Sequence, residues 1–236
     1  YQNRLLDLSG LKGMTWLESL LIAKNSTLIK IGPVSSLINL KSLNAEQCKI
    51  VDISPLQPLA NLESLKLNYN PIEKIPNFLA LKKIKGLGFY GTRLSDLGGI
   101  RGMIWLESLS VAGHPTLKDI SPIKGLINLK TLNAEKCQIV DITPLEKLAK
   151  LESLNLNYNP IEKVPDLSAL SKIKGLGFYG TRLRDLSGIK GMTWLESLSV
   201  AGHPTLSDIS PIKDLINLKS LNFEKCQIKD INPLQR

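Results

Sequence analysis

Aromatic residues make up only 5% of this 236-residue chain, although 43% of it is hydrophobic. Any core it builds is therefore aliphatic, which suits thin stacked layers. Long apolar runs are missing too. None approaches the roughly 18 residues of a membrane-spanning helix, so membrane insertion is not expected, and the opening text YQNRLLDLSG lacks the basic-then-apolar layout of a secretory signal. Cysteine and histidine are scarce, at three and two residues. Cys-x-x-Cys, His-Glu-x-x-His, a Walker loop and a Gly-x-Ser-x-Gly elbow are all absent. No catalytic residue, metal set or cofactor is expected, and the chain reads as a non-enzyme. Acidic residues are the minority charge, 21 against 30 Lys and Arg for a formal +9. That balance favours an anionic partner only if the basic side chains share one face.

What the chain has in abundance is repetition. Trp16, Trp105 and Trp194 stand 89 residues apart in near-identical text, MTWLESL, MIWLESL and MTWLESL. A fixed long period decides the fold before any local reading. Within it a Leu-x-x-Leu-x-Leu core begins at Leu17, Leu40, Leu62 and Ile84, again at Leu106, Leu129, Leu151 and Ile173, and at Leu195 and Leu218, in steps of 23, 22, 22 and 22. The unit is thus four short repeats, called the Trp, Cys, Asn and Gly types after marker residues. Residues 1–236 read as one solenoid, with nine complete repeats from about 16 to 216 and partial repeats at 1–15 and 217–236.

The most regular copy, LESLNLNYNPIEKV from Leu151 to Val164, shows what a repeat does. Leu154, Asn155, Leu156 and Asn157 alternate with the period of a strand, leucines inward and polar residues outward. Such strands, stacked in parallel at about 4.8 Å, are expected to form one continuous sheet. In the return segment Ile161, Val164, Leu167 and Leu170 stand three apart, which predicts a turn or short 3₁₀ piece. Prolines such as Pro55, Pro122, Pro144 and Pro165 bar a longer helix. Narrow strands on one side and bulkier returns on the other force curvature, with the sheet on the concave face.

The ninth core position forms a column of its own. It runs Asn3, Asn25, Cys48, Asn70, Thr92 and His114, then Cys137, Asn159, Thr181, His203 and Cys226. These side chains are expected inside the turn, satisfying backbone groups that the bend leaves unpaired. Neighbouring cysteines are four layers, or about 19 Å, apart, beyond the ~7 Å Cα limit of a disulfide, and read as free buried thiols. The two histidines read as structural.

Residues 137–161, CQIVDITPLEKLAKLESLNLNYNPI, resemble the repeats of bacterial internalins, whose text runs Asn-x-Ile-x-Asp-Ile-x-Pro-Leu-x-x-Leu-x-x-Leu. The Asp-Ile-x-Pro pattern recurs from Asp52, Asp119, Asp141, Asp208 and Asp230, and the resemblance covers essentially the whole chain. It implies an α/β repeat solenoid: a curved leucine-rich-repeat horseshoe or arc with a parallel β-sheet on the concave face and 3₁₀ or turn segments on the convex face. It also implies a protein-binding surface and an extracellular or bacterial cell-surface location. The Trp repeats depart from the pattern by an extra residue near Pro115 and Pro204, and no cap is present.

On the concave face, the second core position alternates in sign from Glu18 and Lys41 through Glu63, Lys85, Glu107, Lys130, Glu152, Lys174 and Glu196 to Lys219. Adjacent layers can therefore pair, and a one-layer slip sets like beside like. Much of the remaining basic excess is scattered over the return segments, so nucleic-acid binding is not expected. Tyr69 and Tyr90 lie in adjacent layers, Tyr158 and Tyr179 repeat the arrangement, and Tyr1 starts a third copy. Beside them stand Gly86 and Gly88, or Gly175 and Gly177, where the backbone is bare enough for close approach. Glu46 and Lys66 border the first patch with Asn44, and Glu135 and Asn155 border the second with Asn133. A bare patch flanked by tyrosines suits a protein partner; equally, the glycines relieve crowding and the tyrosines cover them. The three tryptophans precede the strand and read as packing residues. The text GLGFYG at 86–91 looks like a phosphate loop, but no helix follows it in this fold.

Both ends fall within a repeat, which predicts open end layers and end-to-end self-association. The copies drift unevenly, favouring a piece of a longer natural array; an engineered or idealised repeat scaffold with no natural ligand is the alternative.

Overall fold

A computed structural model describes residues 4–235; Tyr1 and Asn3 lie outside the described residues. The cores become ten three-residue strands: β1 Ser19–Leu21, β2 Ser42–Asn44, β3 Ser64–Lys66, β4 Gly86–Gly88, β5 Ser108–Ser110, β6 Thr131–Asn133, β7 Ser153–Asn155, β8 Gly175–Gly177, β9 Ser197–Ser199 and β10 Ser220–Asn222. Paired strands run parallel with their middle leucines opposite one another, as Leu20 faces Leu43 and Leu132 faces Leu154. The inward leucines and the aliphatics of the return segments join Phe78, Phe89 and Phe178 in one buried cluster along the array. This is a leucine-rich-repeat solenoid, in which no single layer has a core of its own.

The sheet is not continuous, contrary to the sequence expectation. It divides into β1–β2–β3, β4–β5–β6–β7 and β8–β9–β10. Both breaks fall where an Asn-type layer meets the Gly-type layer after it. Elsewhere two successive N–H groups bond one carbonyl of the preceding layer, as Glu63 and Ser64 bond Lys41 O at 2.8 and 3.0 Å, and Ala45 N–H bonds forward to Lys66 O at 3.0 Å. Across the breaks the equivalent bonds from Lys85 and Gly86 to Glu63 O, and from Lys174 and Gly175 to Glu152 O, are not formed. On the sheet side, among the described residues, each break retains one backbone bond: Tyr69 N–H to Tyr90 O and Tyr158 N–H to Tyr179 O, both 2.8 Å.

Behind the breaks, on the return side, the same layers are tied closely. Isolated parallel bridges join Lys74 to Asp96 and Lys163 to Asp185. Phe78 N–H reaches Gly99 O at 3.0 Å, and Leu167 N–H reaches Gly188 O at 2.8 Å. A Cβ added at Gly99 would collide with the carbonyl oxygens of Ile75 and Pro76, and one at Gly188 with those of Val164 and Pro165. These two glycines allow backbone to lie on backbone. Each seam is therefore shut on the convex side and opened on the concave side.

The closeness has a local cause in the return segments. In most layers an Asp opens a 3₁₀ turn: Asp52 accepts Ser54 N–H at 2.8 Å and the Ser54 hydroxyl at 2.9 Å, starting the turn Ser54–Leu56 with Pro55 at its first positions. Asn-type layers read Lys74-Ile75-Pro76 and Lys163-Val164-Pro165, with proline where the other layers have Ser, Thr, Gly or Asn, and no 3₁₀ piece forms; the Lys alone is not the cause, since the turn Gly32–Ser36 forms behind Lys30. The expected turn or 3₁₀ segment from Ile161 to Leu170 instead runs extended through the Lys163 bridge and turns only at Ser168 and Ala169.

Inside the turns the column does what its chemistry predicts. The Asn159 amide donates to Ala134 O at 2.7 Å and Leu156 O at 2.9 Å, and its Oδ1 accepts Ile139 N–H at 3.0 Å. Asn70 makes the same three bonds one unit earlier. Trp105 and Trp194 donate their indole N–H to Leu81 O and Leu170 O at 3.1 Å, bridging to the preceding layer. Trp16, in the first layer described in full, is 70% exposed.

Candidate functional site

The column's histidines and its first two cysteines are buried. His114 is fully buried, its Nδ1–H donating to Val111 O at 2.7 Å while Nε2 lies 2.7 Å from the Thr92 hydroxyl. The Val111 carbonyl can only accept, so Nδ1 carries a proton, and the single Thr92 proton has two acceptors in reach, His114 Nε2 and Phe89 O at 2.8 Å; burial favours the neutral ring. Burial holds its pKa below the ordinary imidazole value, against the raising effect of the Val111 carbonyl. The Cys137 thiol donates to the same Val111 O at 3.1 Å, and burial pushes the thiols of Cys48 and Cys137 up. All three cysteines are free; Cys226, beyond the last strand, is only partly buried. Neither His114 nor Cys137 has a free reactive atom. Among the described residues no group of three or more His, Cys, Asp or Glu could hold a metal ion, and no helix is long and apolar enough to cross a membrane.

The tyrosine pairs stand on the two seams. Tyr69 and Tyr90 meet edge to face with ring centroids 5.4 Å apart at 86°, and Tyr158 and Tyr179 at 5.3 Å and 88°. All four remain between 45% and 50% exposed, so each pair is a wall open to solvent. Tyr69 and Tyr158 adopt φ +58°, the left-handed turn position filled by Lys, Gln or Gly in the other layers. The next layer makes room, for Gly91 (φ +67°) lies under the Tyr69 ring, where an added Cβ would come within 2.6 Å of Tyr69 Cδ1. Gly180 does the same under Tyr158. These two glycines, not singled out in the sequence, seat the rings.

The strand glycines have room to spare. A Cβ at Gly86 or Gly88 would come no closer than 3.5 Å to a neighbour, and at Gly175 or Gly177 no closer than 3.6 Å, which is ordinary contact. The structure gives relief of crowding no support at these four positions, and they leave bare backbone between the tyrosines and the charged edge.

The remaining patch residues are drawn together differently in the two copies. In the first, Asn68 bridges the seam, its amide donating to Glu46 at 2.7 Å and its Oδ1 accepting Tyr90 N–H at 2.9 Å. In the second, Asn157 accepts Tyr179 N–H at 3.0 Å, but Glu135 is held by Asn155 at 3.1 Å. Lys66 stands where Asn155 does, and Asn68 takes over its role. Asn44 and Asn133 accept the N–H of Glu46 and Glu135, both at 3.2 Å, and so brace the turn. Lys136 adds a cation 5.2 Å above the Tyr158 ring, where the first copy has Gln47.

The charge ladder forms only within the sheet segments. Glu18 pairs with Lys41 at 2.7 Å, Glu107 with Lys85 at 3.5 Å and Lys130 at 2.6 Å, and Glu196 with Lys174 at 3.3 Å and Lys219 at 2.6 Å. Lys85 and Lys174 lean forward, away from the seam. Glu63 and Glu152 have no cationic partner within 4.0 Å among the described residues. Each seam thus carries an exposed carboxylate at one end and a tyrosine wall at the other.

A family model described as leucine-rich repeats (2 copies) matches residues 38–81 and 127–169. The chain is similar to an internalin, InlF, from Listeria monocytogenes, with a TM-score of 0.82 and 34% identity over 94% of this chain and 64% of that one. It spans less than two thirds of that protein's length. It is also similar to internalin C2 of the same organism, with a TM-score of 0.64 and 28% identity over 86% of this chain and 79% of that one. A leucine-rich-repeat protein of Leptospira interrogans shares the fold, with a TM-score of 0.75 and 23% identity over 96% of this chain and 65% of that one. No curated protein matches the sequence significantly.

Proposed function

This chain is a leucine-rich-repeat protein of the internalin-like 22-residue class, and on that premise we propose that it is a protein-recognition module whose partner docks on the concave face at the two tyrosine seams. Leucine-rich-repeat arrays commonly serve as protein-interaction modules, and solenoids of this kind offer extended concave surfaces for binding. The observation that carries the reading is the coincidence, twice in one chain, of an exposed edge-to-face tyrosine pair with a break in the sheet. Tyrosine supplies rigid contact area with a polar tip, and residues of this type dominate interface energetics. The surface contains Tyr69, Tyr90, Gly88, Glu46 and Lys66 in one copy and Tyr158, Tyr179, Gly177, Glu135 and Asn155 in the other. The resemblance to internalins supports a partner met at an exposed bacterial surface.

The test is a variant with all four tyrosines changed to alanine, compared with the parent for circular dichroism and thermal midpoint, then used beside it to enrich proteins from surface extracts of cells. A protein enriched by the parent and lost from the folded variant supports the reading. An unchanged set of enriched proteins removes the tyrosines from it.

A further inference from the structure

The two seams share three features, and together these describe a slot. The floor is bare backbone at Gly86 and Gly88, or Gly175 and Gly177. One end is the tyrosine pair. The other is Glu63 or Glu152, the ladder carboxylates with no ion pair within 4.0 Å among the described residues; Lys41 and Lys130 stand near enough to feel them but are bonded to Glu18 and Glu107. From Lys85 to Tyr90 is five residues, so the slot is about 16 Å long at about 3.3 Å per strand residue. Its floor also holds hydrogen-bonding groups that the ladder leaves over: the N–H groups of Lys85 and Gly86 and the carbonyl of Glu63, with no bond across the seam. Exposure of Gly86 and Gly175 is exposure of main chain, since glycine has nothing else to expose.

We propose that each seam binds an extended segment of a protein partner, five to six residues long, carrying a basic side chain at the Glu63 or Glu152 end and an apolar side chain against the tyrosines. This rests on the concave-face reading above and specifies its partner. An extended peptide matches the slot in length, and its amides supply both the donors and the acceptors that the floor lacks. A polyanion matches neither the carboxylate nor the apolar wall. The slots are not identical. Lys66 places a positive charge beside the first, where the second has the neutral Asn155, while the second carries Lys136 over Tyr158 at its other end, so the stronger discrimination for a basic side chain lies at the Glu152 end of the second slot.

The probe is an array of synthetic extended hexapeptides with Lys or Arg at one end and Pro, Leu or Phe at the other, in both directions. Controls carry Glu at the basic end or shorten the spacing by two residues. Binding of the parent chain is expected to require both ends at full spacing and to weaken with salt. Glu63→Gln with Glu152→Gln should lower affinity for basic peptides about tenfold and, by removing like-charge repulsion, erase most of the preference over the Glu-ended controls. Gly88→Val with Gly177→Val, checked for an unchanged thermal midpoint, should block both slots. Lys66→Asn should raise affinity at the first slot. Binding indifferent to charge and spacing, or no binding by any hexapeptide at millimolar concentration, overturns the slot. If the four-tyrosine variant still loses a protein partner in that case, recognition at the seams stands and only its peptide chemistry fails.

Discussion

Changing Gly188 to alanine puts one methyl group into the tightest place in the array. Its Cβ would collide with the carbonyl oxygens of Val164 and Pro165, and because both are main chain, no side-chain rotation can relieve the clash. The Gly-type return must move off the Asn-type return by roughly an ångström. That loosens the Leu167 N–H bond to Gly188 O, 2.8 Å long, and the Lys163–Asp185 bridge. Overpacking of this kind costs about 1–3 kcal/mol and a weakened buried hydrogen bond about 1 kcal/mol more, so a loss of about 2–4 kcal/mol is expected. Gly177→Ala is the internal control. Its Cβ meets only Asn157 Oδ1 at 3.7 Å, and replacing a strand glycine should gain up to about 0.5–1 kcal/mol. Urea unfolding followed by circular dichroism on parent and both variants reads the contrast. An alanine at 188 as stable as the parent would refute the close approach behind the seam. A loss at 177 as large as that at 188 would refute the claim that the strand glycines are bare for reasons other than crowding.

Asn159→Ala removes three buried bonds and leaves the carbonyls of Ala134 and Leu156 and the N–H of Ile139 without partners, so a loss of about 2–4 kcal/mol is expected by denaturant unfolding. Acid should destabilise the fold through His114. The unfolded imidazole takes up its proton near pH 6.5 and the buried one only at lower pH, so the unfolded state holds more protons and stability falls as the pH drops below about 6.5. His114→Asn should flatten that part of the stability profile, and an unaltered slope would contradict the neutral-ring assignment. Thiol labelling under native conditions should reach Cys226 first and leave Cys48 and Cys137 slow, since burial both shields them and raises their pKa; equal rates would place the column elsewhere.

Much of the fold was legible because each repeat states it again. The register of Leu132 against Leu154, the turn role of Asn159 and the free cysteines all follow from a period of 22 or 23 residues and the reach of a side chain. The breaks in the sheet did not follow. They depend on differences between repeat types, small in the text: Pro165 where most other layers have Ser, Thr, Gly or Asn, and a glycine at 188 that reads as an ordinary turn residue. Tyr158 and Tyr179 were visible as a recurring pair, yet their seat on Gly180 needs the backbone angle of the turn. Glu152 looked like one rung of an alternating ladder, and it is left without an ion pair because Lys130 turns back to Glu107 and Lys174 leans forward to Glu196. The signal was present in the 89-residue recurrence of LKLNYN and LNLNYN before GLGFYG, but the distinction between crowding and bareness at Gly88 and Gly177 is a matter of ångströms.

A seam fastened at the back and released at the front is a pivot, and its axis runs along the convex edge. Between the pivots lies β4 to β7, four layers joined by backbone hydrogen bonds at each junction. Bending imposed on the array is expected first at the two seams, where fewer backbone bonds resist it than within that block. The aperture between the tyrosine walls is then set by the length of that block and adjusted by small rotations at its two ends, so the 89-residue period is a measure of distance as well as a pattern of text.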